Sequence, residues 1–81
     1  MRLIIMLEKV IFLISEYQGI SPDSINSDSH LINDLGFTSY DVVSLIGKFE
    51  DEFDIEIPDR KIRMLKTVND IVEFIENEID E

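Results

Sequence analysis

The amino-acid sequence predicts an all-α fold, a small four-helix bundle with three longer helices and one short one. Three segments carry apolar residues at the spacing of a helix that buries one face. Two of these segments begin with a threonine followed three residues later by an aspartate, which is the pattern of a helix-capping box. Residues 54–57 alternate as a strand does, but they have no second strand with which to pair. At 81 residues, the chain is predicted to form a single domain spanning 1–81.

The first predicted helix ends at Gly19. Its apolar residues recur at helical spacing: Leu3, Leu7, Val10, Ile11, Ile14 and Tyr17. Further apolar side chains widen this face: Ile4, Ile5, Phe12 and Leu13. We expect the wide face to pack against neighbours on two sides, and the alternative is a surface offered to a partner.

A long connection rich in Ser, Asp and Asn follows, over residues 20–33. A structureless loop of this length is unusual in a small domain, so its apolar residues are predicted to pack against the helices. A short turn is expected between Pro22 and Ile25. His30 is interpreted as a polar loop residue, because a catalytic histidine would need partners that the sequence does not show.

The second helix is predicted from Ser39 to Phe53. Gly36 supplies the permissive backbone that ends the preceding loop, and Thr38 is the expected N-cap, with Asp41 completing the capping box. Its apolar stripe comprises Val42, Ile46, Phe49 and Phe53, with Val43 and Leu45 alongside. Gly47 either lets another group approach the backbone or is simply tolerated, and the sequence leaves both open.

The rest of the chain supplies an extended connector and two helices. Ile55 and Ile57 are expected to insert into the core, and Pro58 to begin a short third helix from Asp59 to Met64. In the fourth helix, Thr67 and Asp70 form a second capping box. The predicted buried face of this helix is Val68, Ile71, Val72, Ile75 and Ile79.

Charge excludes some functions and favours others. The net charge of −11 argues against nucleic acid and favours partners with basic docking surfaces. Residues 21–59 carry −9, whereas residues 60–66 carry +4, which we interpret as compensation of neighbouring acidic surface. The chain has no Cys and one His, which excludes disulfides, a cysteine nucleophile and a histidine-rich metal site. A thiol mechanism would therefore need a cofactor.

Catalytic and targeting motifs are also missing from the sequence. It contains no P-loop, no H-E-x-x-H motif, no Ser/His/Asp arrangement with supporting glycines and no calcium loop, so we expect no enzymatic activity. Glu8 and Lys9 interrupt the apolar N-terminal run, which is also far too short to cross a membrane. The protein is predicted to be cytoplasmic and monomeric, without membrane insertion.

Ser39 is the candidate functional residue. If Thr38 is the N-cap, the Ser39 hydroxyl is free at a helix start, where unpaired N–H groups and the helix dipole favour a phosphate. Taken alone, such a serine is more commonly an ordinary helix-start residue. Three blocks in order give it a context: Asp34-Leu35-Gly36-x-x-Ser39, Phe49-Glu50-x-x-Phe53-x-Ile55-x-Ile57-Pro58-Asp59 and Thr67-Val68-x-Asp70. With these blocks the chain, from about Leu7 to Glu76, resembles an acyl carrier protein.

The resemblance implies that Ser39 receives 4′-phosphopantetheine from coenzyme A through a phosphopantetheinyl transferase. The thiol of the arm would then carry acyl or aminoacyl groups as thioesters between acyl-loading and acyl-processing enzymes with basic surfaces. The second helix would dock to these partners, since complementary charge speeds encounter. The expected docking residues are Asp34, Tyr40, Asp41, Ser44, Gly47, Lys48 and Asp51.

The chain also departs from the family pattern. Thr38 and Tyr40 flank the serine where members usually have Asp and Leu, and the segment 60–66 is basic where fatty-acid carriers are usually acidic. Ser44, Gly47 and Lys48 also differ from what fatty-acid carriers commonly have. A specialised polyketide, lipid or aminoacyl pathway therefore fits at least as well as fatty-acid synthesis. The alternative function is an acidic adaptor that keeps the carrier fold but is never loaded.

Overall fold

The computed structural model describes residues 2–79, with side chains from residue 5 onward. It contains four helices: α1 (Arg2–Gln18), α2 (Ser39–Phe53), α3 (Asp59–Ile62) and α4 (Val68–Ile79). A 3₁₀ turn at Pro22–Ser24 follows α1, where the sequence predicts a short turn. Across residues 2–79 there is no β-strand, although an isolated antiparallel bridge joins His30 to Thr67. The predicted all-α bundle of three longer helices and one short helix is confirmed.

The core forms where α1 packs against α2 and α4. Each of the three long helices contributes completely buried side chains, among them Val10, Leu45, Phe49, Ile71 and Ile75. Burying an aliphatic or aromatic side chain of this size contributes about 1.5–3 kcal/mol relative to leaving it exposed. The connections add further buried residues: Ile25, Leu31, Phe37, Ile57 and Leu65. The predicted insertion of Ile57 is confirmed, and Ile55 packs partly buried against the same core.

The exposed side of α1 differs from the prediction. Ile5 and Phe12 are 52% and 57% exposed, so the two-sided packing predicted for the wide apolar face is wrong at both positions. Of the other two residues that were predicted to widen this face, Leu13 packs against the core, and the side chain of Ile4 lies outside the described part. The physical reason is that α2 and α4 cover one side of α1 and leave these two side chains facing away from the bundle.

Two helix ends also differ from the prediction. α3 ends at Ile62 rather than Met64, because the last amides form three-residue turns, with Met64 N–H donating to Lys61 O (2.9 Å). In α4 the buried face ends at Ile75, and Ile79 is 38% exposed. Residues 80 and 81 lie outside the described residues.

Backbone hydrogen bonds hold the long connection after α1 against the start of α4. Leu31 N–H donates to Lys66 O (2.9 Å), Val68 N–H donates to Ser29 O (3.1 Å), and Asn69 N–H donates to Ser27 O (2.9 Å). Ile25 and Leu31 enter the core as predicted, whereas Ile32 remains 45% exposed. Gly36 has φ +78°, a left-handed conformation that favours glycine, and it turns the chain into α2.

Candidate functional site

The first turn of α2 is closed by a reciprocal capping box. Thr38 Oγ1 accepts a hydrogen bond from Asp41 N–H (3.1 Å), and Thr38 N–H donates to Asp41 Oδ2 (3.0 Å). The predicted N-cap and helix start are therefore confirmed. The next residue, Ser39, is exposed, and across residues 2–79 its hydroxyl has no hydrogen-bond partner. Because the capping box uses Thr38 and Asp41, the Ser39 hydroxyl is left free for chemistry.

The carboxylate of Asp41 is engaged on both oxygens. Oδ2 accepts the Thr38 N–H, and Oδ1 accepts a hydrogen bond from the Tyr17 hydroxyl of α1 (3.2 Å). Hydrogen bonds from the Thr38 backbone N–H, the Thr38 side chain and Tyr17 hold the pKa of Asp41 below its ordinary value. Asp41 was predicted as a docking residue, and its position shows that it also stabilises the turn that carries Ser39.

Two further contacts from the end of α1 hold the loop before Ser39. The ring of Tyr17 stacks on Phe37, with centroids 5.6 Å apart. Gln18 Nε2 donates to Leu35 O (2.7 Å). Sequence reasoning missed both contacts, because neither Tyr17 nor Gln18 lies in a motif and both reach partners far along the chain.

Asp34, also predicted as a docking residue, shapes the turn over residues 30–35. Its Oδ2 accepts the His30 N–H (2.8 Å), and its own N–H donates to His30 O (2.8 Å). His30 in turn accepts the Asn33 N–H on Nδ1 (3.1 Å), consistent with its predicted role as a polar loop residue. The exposed Asp34 carboxylate thus has a structural contact beside any docking role.

The other predicted docking residues lie on α2. Tyr40, Ser44, Gly47 and Asp51 follow one another at helical spacing, so they share one face of α2, and Lys48 lies next to this face. Tyr40 is 76% exposed, and Lys48 and Asp51 are also exposed, whereas Ser44 and Gly47 are half-buried. A Cβ built on Gly47 would meet no atom within 4 Å, so nothing in the described chain needs a glycine there.

A cleft of about 460 Å³ opens beside Ser39, between α2, the loop over residues 30–33 and the segment over residues 62–66. Its apolar walls are Leu31, Ile32, Val42, Val43, Ile62 and Leu65. Its polar lining is His30, Asn33, Ser39, Arg63 and Lys66. Sequence reasoning did not find the cleft, although Val42 and Val43 stand three and four residues after Ser39, on the same side of the helix.

Comparisons with known proteins agree with this geometry. Residues 8–75 match the family described as the phosphopantetheine attachment site. An acyl carrier protein of Sulfurovum sp. (strain NBC37-1) is 45% identical over 65 residues, 80% of this chain and 87% of the relative. An acyl carrier protein of Bdellovibrio bacteriovorus (strain HD100) is 43% identical over 68 residues, 84% of this chain and 87% of the relative.

The chain belongs to the acyl carrier protein family. It therefore carries a covalently attached 4′-phosphopantetheine group, which supplies the thiol that the sequence lacks, and it serves as a carrier of acyl groups. This role implies a transferase that attaches the arm and biosynthetic enzymes that use it.

The start of α2 fits such an arm. The Ser39 hydroxyl is exposed and free, and within residues 2–79 the N–H groups of Ser39 and Tyr40 have no acceptor, so they are available to a phosphodiester. No helix in the described residues is long and apolar enough to cross a membrane. Residues 2–79 also contain no group of three or more His, Asp or Glu side chains that could hold a metal ion.

Proposed function

We propose that Ser39 carries the 4′-phosphopantetheine arm and that the cleft beside it shelters the acyl group between enzymes. The observation that carries this proposal is that the capping box at the helix start does not use Ser39. The Thr38 and Asp41 side chains cap α2 reciprocally. Ser39, the next residue after the cap, is exposed, and its hydroxyl has no partner among residues 2–79.

Each group around Ser39 has a separate task in this proposal. The hydroxyl oxygen attacks the pantetheine-side phosphorus of coenzyme A, and the transferase removes the hydroxyl proton. As the new ester bond forms, the pyrophosphate bond of coenzyme A breaks and adenosine 3′,5′-bisphosphate leaves. The N–H groups of Ser39 and Tyr40, at the positive end of the helix dipole, stabilise the phosphodiester. The apolar walls formed by Val42, Val43 and Leu65 offer a non-aqueous surface to a hydrocarbon chain.

The exposed face of α2 is the proposed docking surface for the transferase and the acyl-processing enzymes. Tyr40 supplies apolar contact area, and Asp51 supplies negative charge in a chain of net charge −11. Complementary charge raises the rate of encounter without requiring tight binding, which suits a carrier that visits several enzymes. Lys48 and the basic segment 60–66 support a dedicated specialised pathway at least as well as fatty-acid synthesis, and we propose no catalytic activity for the chain itself.

The test is intact mass after incubation with coenzyme A, magnesium and a broad-specificity phosphopantetheinyl transferase. Wild type is expected to gain the mass of phosphopantetheine, and Ser39→Ala is expected to stay at the polypeptide mass. Ser44→Ala is the matched control, because Ser44 lies on the same helix away from its start, and it should load as wild type does. The free energy of unfolding of Ser39→Ala should stay within about 0.5 kcal/mol of wild type, since Thr38 keeps the cap.

Two results would contradict the proposal. Loading of Ser39→Ala would mean that another residue carries the arm. Failure of wild type to load with several transferases would favour the acidic adaptor instead.

A further inference from the structure

Among residues 2–79, no direct contact neutralises the basic segment over residues 60–66. It holds Arg60, Lys61, Arg63 and Lys66 in a chain of net charge −11. Within residues 2–79, none of these four side chains forms an ion pair with an acid. The interpretation of this segment as compensation of neighbouring acidic surface is therefore not supported by any direct pairing.

The four cations divide into two pairs by position. Arg63 and Lys66 line the cleft that also includes Ser39, whereas Arg60 and Lys61 do not. Cleft and non-cleft cations thus occur within one short segment, with the same number of charges in each pair. This division allows a local effect at the cleft to be separated from a general effect of charge.

Of the cleft pair, Lys66 has an anchored backbone. Lys66 O accepts the Leu31 N–H (2.9 Å), and Lys66 N–H donates to Asp70 Oδ2 (3.0 Å), so Lys66 is held from the loop and from α4. Arg63 caps the C-terminal end of α3, three residues before Lys66. Both side chains are exposed beside the cleft, and neither is paired with another residue of the described range 2–79, so their charges are available to a ligand inside it.

The remainder of the cleft lining is mainly apolar. A ligand that matches both parts has a short hydrocarbon segment against Val43, Ile62 and Leu65 and an anionic group that reaches Arg63 and Lys66. A carboxylate suits this edge, because Arg binds carboxylates through paired hydrogen bonds and Lys adds a point charge. The net charge of the chain is −11, so these two cations are what would make an anionic group acceptable at this edge of the cleft.

We propose that the cleft favours acyl cargo that bears a second anionic group, a carboxylate at the far end of a short chain, held by Arg63 and Lys66. This inference rests on the proposed function, in which Ser39 carries the arm and the cargo folds back into the cleft. The inference narrows the proposed cargo from acyl groups in general to dicarboxylic acids that have one carboxyl group in the thioester and the other free.

The test compares two cargoes of equal length on three forms of the protein. Hexanoyl and adipoyl groups are loaded from their coenzyme A thioesters onto wild type, Arg63→Gln/Lys66→Gln and Arg60→Gln/Lys61→Gln, and intact mass verifies loading. The rate of thioester cleavage by hydroxylamine then measures how well the cleft protects the acyl thioester from the reagent. Cleavage of the adipoyl thioester should be about two- to five-fold faster in Arg63→Gln/Lys66→Gln, the cleft variant, than in wild type. This is the range that the energies of exposed charge contacts allow. Hexanoyl cleavage, and both cargoes on the Arg60/Lys61 control, should change little.

A second measurement works without loading. Amide chemical shifts of Ile62 and Leu65 are followed while S-adipoyl-pantetheine or S-hexanoyl-pantetheine is added to the unmodified chain. We expect the adipoyl compound to cause larger chemical-shift changes than the hexanoyl compound. This difference should disappear in Arg63→Gln/Lys66→Gln and become smaller at high salt. Pantetheine carries no phosphate, so this response cannot come from the arm's phosphodiester, and failure of Ser39 to load would leave it unaffected.

Three results would overturn the inference. Equal effects of both variants would indicate long-range charge or partner docking rather than a cleft subsite. Equal responses to adipoyl and hexanoyl compounds would mean that the cleft does not recognise the carboxylate. The third result concerns protein that carries the arm without an acyl group. If Arg63→Gln/Lys66→Gln changes the amide chemical shifts of Ile62 and Leu65 in that protein, and adipoyl cargo does not enlarge the change, Arg63 and Lys66 contact the phosphodiester instead.

Discussion

The Tyr17 hydroxyl donates a hydrogen bond to Asp41 Oδ1 over 3.2 Å, which ties the last turn of α1 to the first turn of α2. The same carboxylate accepts the Thr38 N–H on its other oxygen. Asp41 therefore joins the capping box of α2 to a contact between helices. Because Ser39 lies between Thr38 and Asp41, the same hydrogen bonds close the turn that contains the proposed attachment residue.

Tyr17→Phe tests the contact between the helices. The substitution removes the hydroxyl and keeps the ring that stacks on Phe37, so the free energy of unfolding should fall by about 0.5–1.5 kcal/mol. Urea denaturation measures the change. Tyr40→Phe is the matched control, since the Tyr40 hydroxyl has no partner in the described residues and its removal should leave stability unchanged. Equal stability of Tyr17→Phe and wild type would show that the hydrogen bond adds nothing.

The lowered pKa of Asp41 predicts a loss of stability in acid. In the folded chain the Thr38 N–H favours the ionised carboxylate, so the folded state holds the proton less tightly than the unfolded state does. The stabilisation is therefore fully present above the ordinary Asp pKa of about 4, and it is lost as pH falls through the lower folded value. Asp41→Asn lacks this titration, so wild type should lose stability relative to the variant over that interval.

Urea denaturation of wild type and Asp41→Asn over a series of pH values measures this difference. Asp51→Asn is a suitable comparison, because it removes the same charge from α2 without breaking a hydrogen bond in the described residues. If the difference in the free energy of unfolding between wild type and Asp41→Asn does not vary with pH, this hydrogen bond does not favour the ionised carboxylate.

Gly47→Ala should stabilise the protein. Gly47 lies inside α2, and a Cβ there meets no atom within 4 Å, so alanine gains helix propensity without a clash. The expected increase in the free energy of unfolding is about 1 kcal/mol. Thermal or urea denaturation gives the value, and a decrease would contradict it. If loading by the transferase slows in this more stable variant, the small residue serves a partner that approaches the helix.

Asp51→Asn tests electrostatic docking more cleanly than a change at Asp41, because it leaves the capping box intact. With a partner that has a basic surface, we expect the association rate constant to fall about two-fold at low salt and to change less as salt is raised. Stopped-flow measurements at several salt concentrations provide the test. Asp23→Asn, which removes an equal charge from the 3₁₀ turn, should have the smaller effect, and equal effects would argue against α2 as the docking surface.

Local interactions explain what the sequence could predict. The boundaries of α2 follow from Thr38, Asp41 and the apolar spacing after them, all within a few residues of one another. The exposed Ile5 and Phe12 were mispredicted because periodicity reveals an apolar face but not how many neighbours cover it. The cleft was missed because its walls come from three separated segments, and their proximity depends on contacts such as Leu31 with Lys66.

The short helix α3 has a consequence for how the cleft responds to filling. None of its residues is buried, and its N-cap forms no side-chain hydrogen bond. The buried residues Ile57 and Leu65 anchor the chain on either side of it, and Ile57 N–H also donates to Glu50 Oε2 (2.8 Å). This wall can therefore unfold locally between two fixed points while α1, α2 and α4 stay packed. Amide hydrogens within α3 should exchange with solvent well before those of the three long helices, and a bound acyl chain should slow that exchange.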